Sequence, residues 1–298
     1  VLNFSIRSMM CAPLMAAGKA LGAIHLDTMQ AGRHFTRDDL ALFTAIANQT
    51  AVALHSTRMH EELRKRQSVE QDLAMARHVQ HSFLPADLPR LPGFDFAASY
   101  RAALEVGGDF YDFIALPDGR LGIAVGDVMG KGMPAALMMV RVMSDMRYLA
   151  IANPEPAFVL ERLNAGLARS GSGNAFVTLV FMLLDPTTRR LTLANAGHYP
   201  PLLRCAGGEV KEVDDVESGL PLGAEPDMRY EQESVALGEG DCLVAFTDGV
   251  TEAESAAEEL YGTERLRAAL RAAGPTAACV VSHLLEDIRN FVGDTPQS

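Results

Sequence analysis

The sequence predicts an α+β fold in which two antiparallel sheets form the core and helices flank them. Two observations predict it. From residue 94 onward, apolar runs of strand length alternate with turns rich in Gly, Pro and Asp. These runs fall into two blocks, each followed by two helical patterns, an order that suits segregated strands and helices better than an alternating parallel sheet. Ahead of this region, a single helical pattern of nearly fifty residues is cut off by Pro85.

In chain order, residues 9–27 (MMCAPLMAAGKALGAIHLD) form two apolar runs around a turn at Ala17, Gly18 and Lys19, which reads as a β-hairpin. Thr36 is an N-cap for the following helix, in which Leu40, Phe43, Ala47, Ala51 and Leu54 recur at helical spacing. Leu63, Val69, Leu73, Ala76, Val79 and Phe83 continue it as an imperfect heptad interrupted by Gln67, Gln71 and Gln80. At about 1.5 Å per residue, a helix over 37–84 is about 70 Å long, more than a small domain can cover. A parallel coiled coil between two copies would bury its stripe, making a homodimer; a solvated spacer helix is the alternative.

A Pro-rich connector (84–93) follows. FDFAASYRAA (94–103), DFYDFIAL (109–116) and LGIAVGDV (121–128) read as strands, with PDG (117–119) a hairpin turn between the last two. Residues 133–150 and 158–169 read as helices, with Pro134 tolerated in a first turn. Strands resume with AFVTLVFMLLD, RLTLANAG, PPLLRC, YEQESVAL and DCLVAFTD, and two helices follow from Gly262 onward.

Composition narrows the function. The apolar share is 48% and the charged share 21%, as in globular proteins, and no apolar run is long enough to span a bilayer. A formal net charge of -12 argues against nucleic acid as partner. Cys11, Cys205, Cys242 and Cys279 are far apart and lie mostly in apolar segments, which reads as reduced, buried thiols in a cytoplasmic protein and not as a zinc site. The chain opens at Val1 without an initiator Met and reads as a fragment.

Three aspartates held in glycine-rich turns carry the chemistry: Asp109 in EVGGDFYD (105–112), Asp127 in GDVMGKG (126–132) and Asp248 in FTDGVTEA (246–253). Apolar runs before Gly126 and Thr247 place the last two at the ends of buried strands. Each turn alone is ordinary Asp-Gly chemistry. Together they suit hard, oxygen-loving cations, Mg²⁺ or Mn²⁺. Two ions about 3.5–4 Å apart activate water for in-line attack on phosphorus, which requires a shared carboxylate. Asp127, in the tightest turn, is assigned that bridging place, with Asp109 and Asp248 on either side and the Val128 carbonyl as a further ligand. Asp112, three residues beyond Asp109 in a strand, faces the other way. Lys131 fails the phosphate-loop spacing and reads as solvated. His198, in a turn before two prolines, reads as structural in preference to an acid or base. No Ser-His-Asp or Cys-His arrangement appears.

EVGGDFYD, GDVMGKGMPAAL, NAGHYPP (195–201), GLPLG (219–223) and FTDGVTEA, in that order after ARHVQHSFLP (76–85), resemble the SpoIIE/RsbU-type serine phosphatases of the metal-dependent protein phosphatase superfamily. The stretch before residue 57 resembles the C-terminal part of a GAF sensor domain. The resemblance implies domains at 1–56 (GAF-like), 57–85 (helical linker or switch) and 86–298 (phosphatase). It implies an αββα sandwich with two Mn²⁺ or Mg²⁺ ions on Asp109, Asp127, Val128 and Asp248. It further implies hydrolysis of phosphoserine or phosphothreonine in an anti-anti-sigma (STAS-type) regulator, with the long helix relaying the sensor's state.

Two departures accompany the resemblance. Met129 stands where the wider superfamily has a histidine, which leaves protonation of the leaving group to water. The family's closing Asp-Asp-x-Thr strand is not matched by GDTPQS (293–298), where Asp294 does not fit; a further carboxylate is expected past Ser298, and its loss weakens at least one metal position. Two competing readings are a non-catalytic dimeric docking module and a phosphatase acting on small molecules or nucleotides.

Overall fold

The computed structural model describes residues 6–101, 106–169, 176–213, 218–293 and 295. The chain divides into two compact units, Val1–Asp72 and Leu73–Ser298. In the first, β1 (Ser8–Ala16) and β2 (Lys19–Thr28) pair antiparallel, and Ala17 and Gly18 turn the chain at φ 50° and 76°. Alternation puts Ala12, Leu14 and Ala16 on one face, where they pack with Ala47, Ala51 and Phe43 of α1 (Arg37–Phe83). Helix α1 opens as expected: the Thr36 hydroxyl accepts from the Asp39 N–H (3.2 Å) and the Asp39 carboxylate accepts from the Thr36 N–H (2.8 Å). Leu40 and Leu54, counted in the same stripe, stay exposed.

The second unit is built on two antiparallel sheets. Five strands lie in the order β3 (Phe110–Ala115), β4 (Leu121–Val128), β5 (Val177–Asp185), β6 (Arg190–Ala196), β9 (Glu233–Ala236). Three more lie in the order β10 (Cys242–Val244), β7 (Leu202–Arg204), β8 (Val210–Glu212). Three apolar clusters define the layers. Met139, Met143 and Met146 of α2 (Met133–Ala152) and Leu160 and Leu163 of α3 (Pro156–Arg169) pack on Ala124, Leu179 and Phe181 of the large sheet. The opposite face of that sheet, with Val180, Met182 and Leu191, meets Leu203 of the small one. The small sheet's outer face, with Leu202 and Val210, packs on Leu266 of α5 (Gly262–Ala272) and Leu284 of α6 (Ala277–Val292). This is the helix–sheet–sheet–helix sandwich the resemblance implies.

Several expectations are corrected. Residues 94–101 form no strand: Phe94 and Phe96 pack on the inter-sheet core, but among the described residues no strand pairs with them, while 102–103 lie outside the described residues. The short β8 and the four-residue α4 (Asp248–Thr251) were not anticipated. The four cysteines are free but not buried: Cys11 and Cys279 are exposed and the other two half-buried, because Cys11 occupies the outward phase of β1 and Cys279 the outer side of the first turn of α6.

Candidate metal centre

The centre lies where the two sheets meet at one end of the sandwich. Asp127 is the penultimate residue of β4, opposite Thr178 of β5, on the face that Ile123 and Val125 turn toward the second sheet. Asp109 immediately precedes β3, the neighbour of β4. Asp248 opens α4, just after β10 of the other sheet. Neighbouring strands and opposed sheets thus bring together residues up to 139 positions apart, as 248 minus 109 gives. One carboxylate oxygen of each lies within 4.8 Å of the others, and all three residues are half-buried.

Glycine makes this approach feasible. A Cβ on Gly108 would sit 2.4 Å from the Val128 carbonyl oxygen and 2.9 Å from Asp127 Oδ1, so no side chain fits between the Asp109 loop and the end of β4. The Val128 N–H donates to the Gly108 carbonyl (3.3 Å), tying the two segments together.

The site is electrostatically unfavourable by itself. Burial, then the charges of Asp109 and Asp248, push the Asp127 carboxyl up to about 7, against the Val128 N–H. Burial and Asp248 push Asp109 up to about 6, against the Thr247 hydroxyl. Asp109 Oδ1 is buried without a hydrogen-bond partner. An orphaned carboxylate oxygen, two elevated carboxyl groups and an all-oxygen donor set fit hard divalent cations. Among the described residues, Asp109, Asp127 and Asp248 form the one group of three or more His, Cys, Asp or Glu side chains close enough to share an ion.

The remaining sequence candidates fall outside this group. Asp112, on the opposite face of β3, is 1% exposed and pairs with Arg147 (2.6 Å). Lys131 is exposed, as is Met129. Asp294 lies outside the described residues. His198 is buried behind the centre: its Nδ1 hydrogen-bonds the Thr178 hydroxyl (2.9 Å) and its backbone N–H donates to Asn195 (2.8 Å). Burial, only partly offset by the Phe246 backbone, pushes its pKa down to about 4, so it is a neutral strut at physiological pH.

Two residues were not recognised from sequence. Gln80 on α1, noted there only as a flaw in the heptad, is 3% exposed; its Nε2 donates to the Gly107 carbonyl (2.5 Å) and its Oε1 accepts from the Gly107 N–H (3.3 Å). It therefore grips the loop that carries Asp109. Tyr100, in the irregular segment before that loop, sets its ring edge against His81.

The model of the Stage II sporulation protein E (SpoIIE) family matches residues 117–298, well over half of the chain. The chain belongs to the SpoIIE family. The GAF domain model matches residues 1–54 ahead of this SpoIIE domain. Protein IcfG of Synechocystis is 31% identical over 67% of the chain and 36% of its own length. Phosphoserine phosphatase RsbU of Bacillus subtilis is 32% identical over 65% of the chain and 57% of its own length. The chain thus spans about a third to just over half of these SpoIIE-type relatives. Among solved structures, the SiaA-PP2C domain of Pseudomonas aeruginosa superposes with a TM-score of 0.65, covering 78% of this chain and 94% of that one at 22% identity, and it shows the same fold. The RsbU and RsbW domains of a Mycobacterium tuberculosis protein align at TM-score 0.55 and 28% identity, over 64% of this chain and 54% of that one.

Proposed function

We propose that this protein is a metal-dependent protein phosphatase that hydrolyses phosphoserine or phosphothreonine in an anti-anti-sigma (STAS-type) regulator. The observation that carries this reading is the meeting of Asp109, Asp127 and Asp248 within 4.8 Å around a buried, unpartnered carboxylate oxygen. Asp127 would be shared by two ions, Mn²⁺ or Mg²⁺, with Asp109 and Asp248 on either side and the Val128 carbonyl completing the protein's share. Bound there, such ions offset the carboxylate charge, lower the pKa of water and draw charge from phosphoryl oxygens. The chain's part is to hold the carboxylates in register from two sheets. Met129 carries no titratable proton and His198 is neutral and enclosed, so neither is assigned to protonate the leaving group.

The names of RsbU and RsbP, both phosphoserine phosphatases, support the substrate class. We assign residues 1–56 to a GAF-like sensor, 57–85 to a helical linker and 86–298 to the phosphatase. The sensor's state would pass along α1 to Gln80 and so to the Asp109 loop, in a cytoplasmic homodimer joined through α1. The test is calorimetric titration of Mn²⁺ with turnover of a phosphoserine protein in parallel. Wild-type protein binds the ion and releases phosphate, and Asp127→Ala loses both. No binding by the wild type would instead favour the non-catalytic docking module.

A further inference from the structure

The NAGHYPP turn (195–201) supplies no metal ligand, yet its histidine is pinned at both backbone groups. The buried Asn195 brackets it: Asn195 Oδ1 accepts from the His198 N–H (2.8 Å) and Asn195 Nδ2 donates to the His198 carbonyl (2.9 Å). Between them Gly197 turns the chain at φ 68°, where a Cβ would meet the Pro221 ring at 2.8 Å. The backbone that carries the imidazole is therefore held by a satisfied, buried polar network, which rigidifies what it surrounds.

The imidazole touches both segments that deliver the outer pair of this arrangement, Asp127 and Asp248. His198 Nδ1 hydrogen-bonds the Thr178 hydroxyl (2.9 Å), and Thr178 stands directly opposite Asp127 in the register of β4 and β5. Opposed residues of antiparallel strands point to the same face with Cβ atoms about 5 Å apart, so the Thr178 side chain flanks that of Asp127. The His198 ring also lies near the Phe246 backbone, and the neighbouring Tyr199 ring packs on the Phe246 ring with centroids 5.5 Å apart. Phe246 is two residues ahead of Asp248. His198 and Tyr199 thus join the strand beside Asp127 to the segment that carries Asp248.

We propose that Thr178 and His198 act as a pair of positioning residues for the metal centre, holding Asp127 and Asp248 at the separation a cation requires. The inference rests on the phosphatase reading, and it adds two residues outside the ligand set. Asp127 and Asp248 come from different sheets and carry like charge, so their approach has to be held by neighbouring groups. Groups that orient metal ligands commonly account for tenfold or more in affinity. Neither residue of the pair is a ligand, and neither transfers a proton.

The test sets Thr178→Val against Thr178→Ser. Valine keeps the branched shape and removes the hydroxyl, whereas serine keeps the hydroxyl and removes a methyl group. Melting temperature, Mn²⁺ affinity by calorimetry and kcat/KM on a phosphoserine protein are read for each. Thr178→Val is expected to bind Mn²⁺ roughly tenfold more weakly, with kcat/KM falling in step, and Thr178→Ser to bind it as the wild type does even where its melting temperature falls. His198→Phe, which keeps a ring without its nitrogens, should lose the same factor, and combining it with Thr178→Val should lose no more. Thr178→Val binding Mn²⁺ at the wild-type level, or Thr178→Ser proving the weaker binder, would overturn the proposal in favour of simple packing. Additive losses in the double variant would overturn the pairing. Failure of the wild type to bind Mn²⁺ would remove the phosphatase reading itself and the proposal with it.

Discussion

Burial, with the charge of Asp248 on Asp109 and of Asp109 and Asp248 on Asp127, disfavours ionisation of both carboxyl groups, and the effect on stability has a sign. Their carboxyl pKa values rise from the ordinary 3.8 to about 6 and about 7. A carboxyl raised on folding contributes stability that is fully present below its unfolded pKa and is lost as pH rises through the folded value. In the presence of chelator, the melting temperature attributable to this pair should fall between about pH 4 and pH 7. Asp127→Asn should flatten the fall, and Mn²⁺ at pH 8 should reverse it; thermal denaturation across pH checks all three. The triad was legible in the sequence because each Asp sits in a glycine turn next to an apolar strand. His198, a turn histidine ahead of two prolines, is buried with its Nδ1 on the Thr178 hydroxyl and its ring near the Phe246 backbone.

Helix α1 shows where element-level reading ended. Its start, its Thr36 cap and its stop at Pro85 follow from local rules, and the structure places it at Arg37–Phe83. What periodicity misread was Gln80, because polar residues in a heptad look the same whether they weaken a seam or bind a backbone. The strand expected at 94–103 failed for a related reason: alternating apolar residues mark a face, and a strand also needs a partner edge. The α1 contact yields its own prediction. Gln80→Ala removes both hydrogen bonds to Gly107, costing about 1–3 kcal/mol of stability. It should also lower Mn²⁺ affinity about tenfold or more, since groups that orient a ligand loop commonly carry that much. Denaturation and calorimetry on the same variant check this; unchanged Mn²⁺ affinity would confine Gln80 to a structural role.

The sandwich as a whole explains why its chemistry sits at one end. Strands of two sheets converge there, and Asp127 and Asp248 reach the same point from opposite layers. The α+β class and the order of strands and helices could be read from turn chemistry and period. The short β8 and α4 could not, since three- and four-residue elements carry no period. Along α1, Leu63, Val69 and Val79 are 49%, 56% and 49% exposed, apolar surface that pairing of two copies would reduce. Sedimentation should therefore give twice the chain mass, falling to one copy on Leu63→Glu with Val69→Glu, whereas a monomeric wild type would refute the coiled coil. The central claim, metal-dependent hydrolysis of a phosphoserine protein, is tested most directly by phosphate release from such a substrate in Mn²⁺ before and after excess chelator. Release that stops with chelator and returns with added Mn²⁺ is the predicted result, and turnover unchanged by chelator would contradict it.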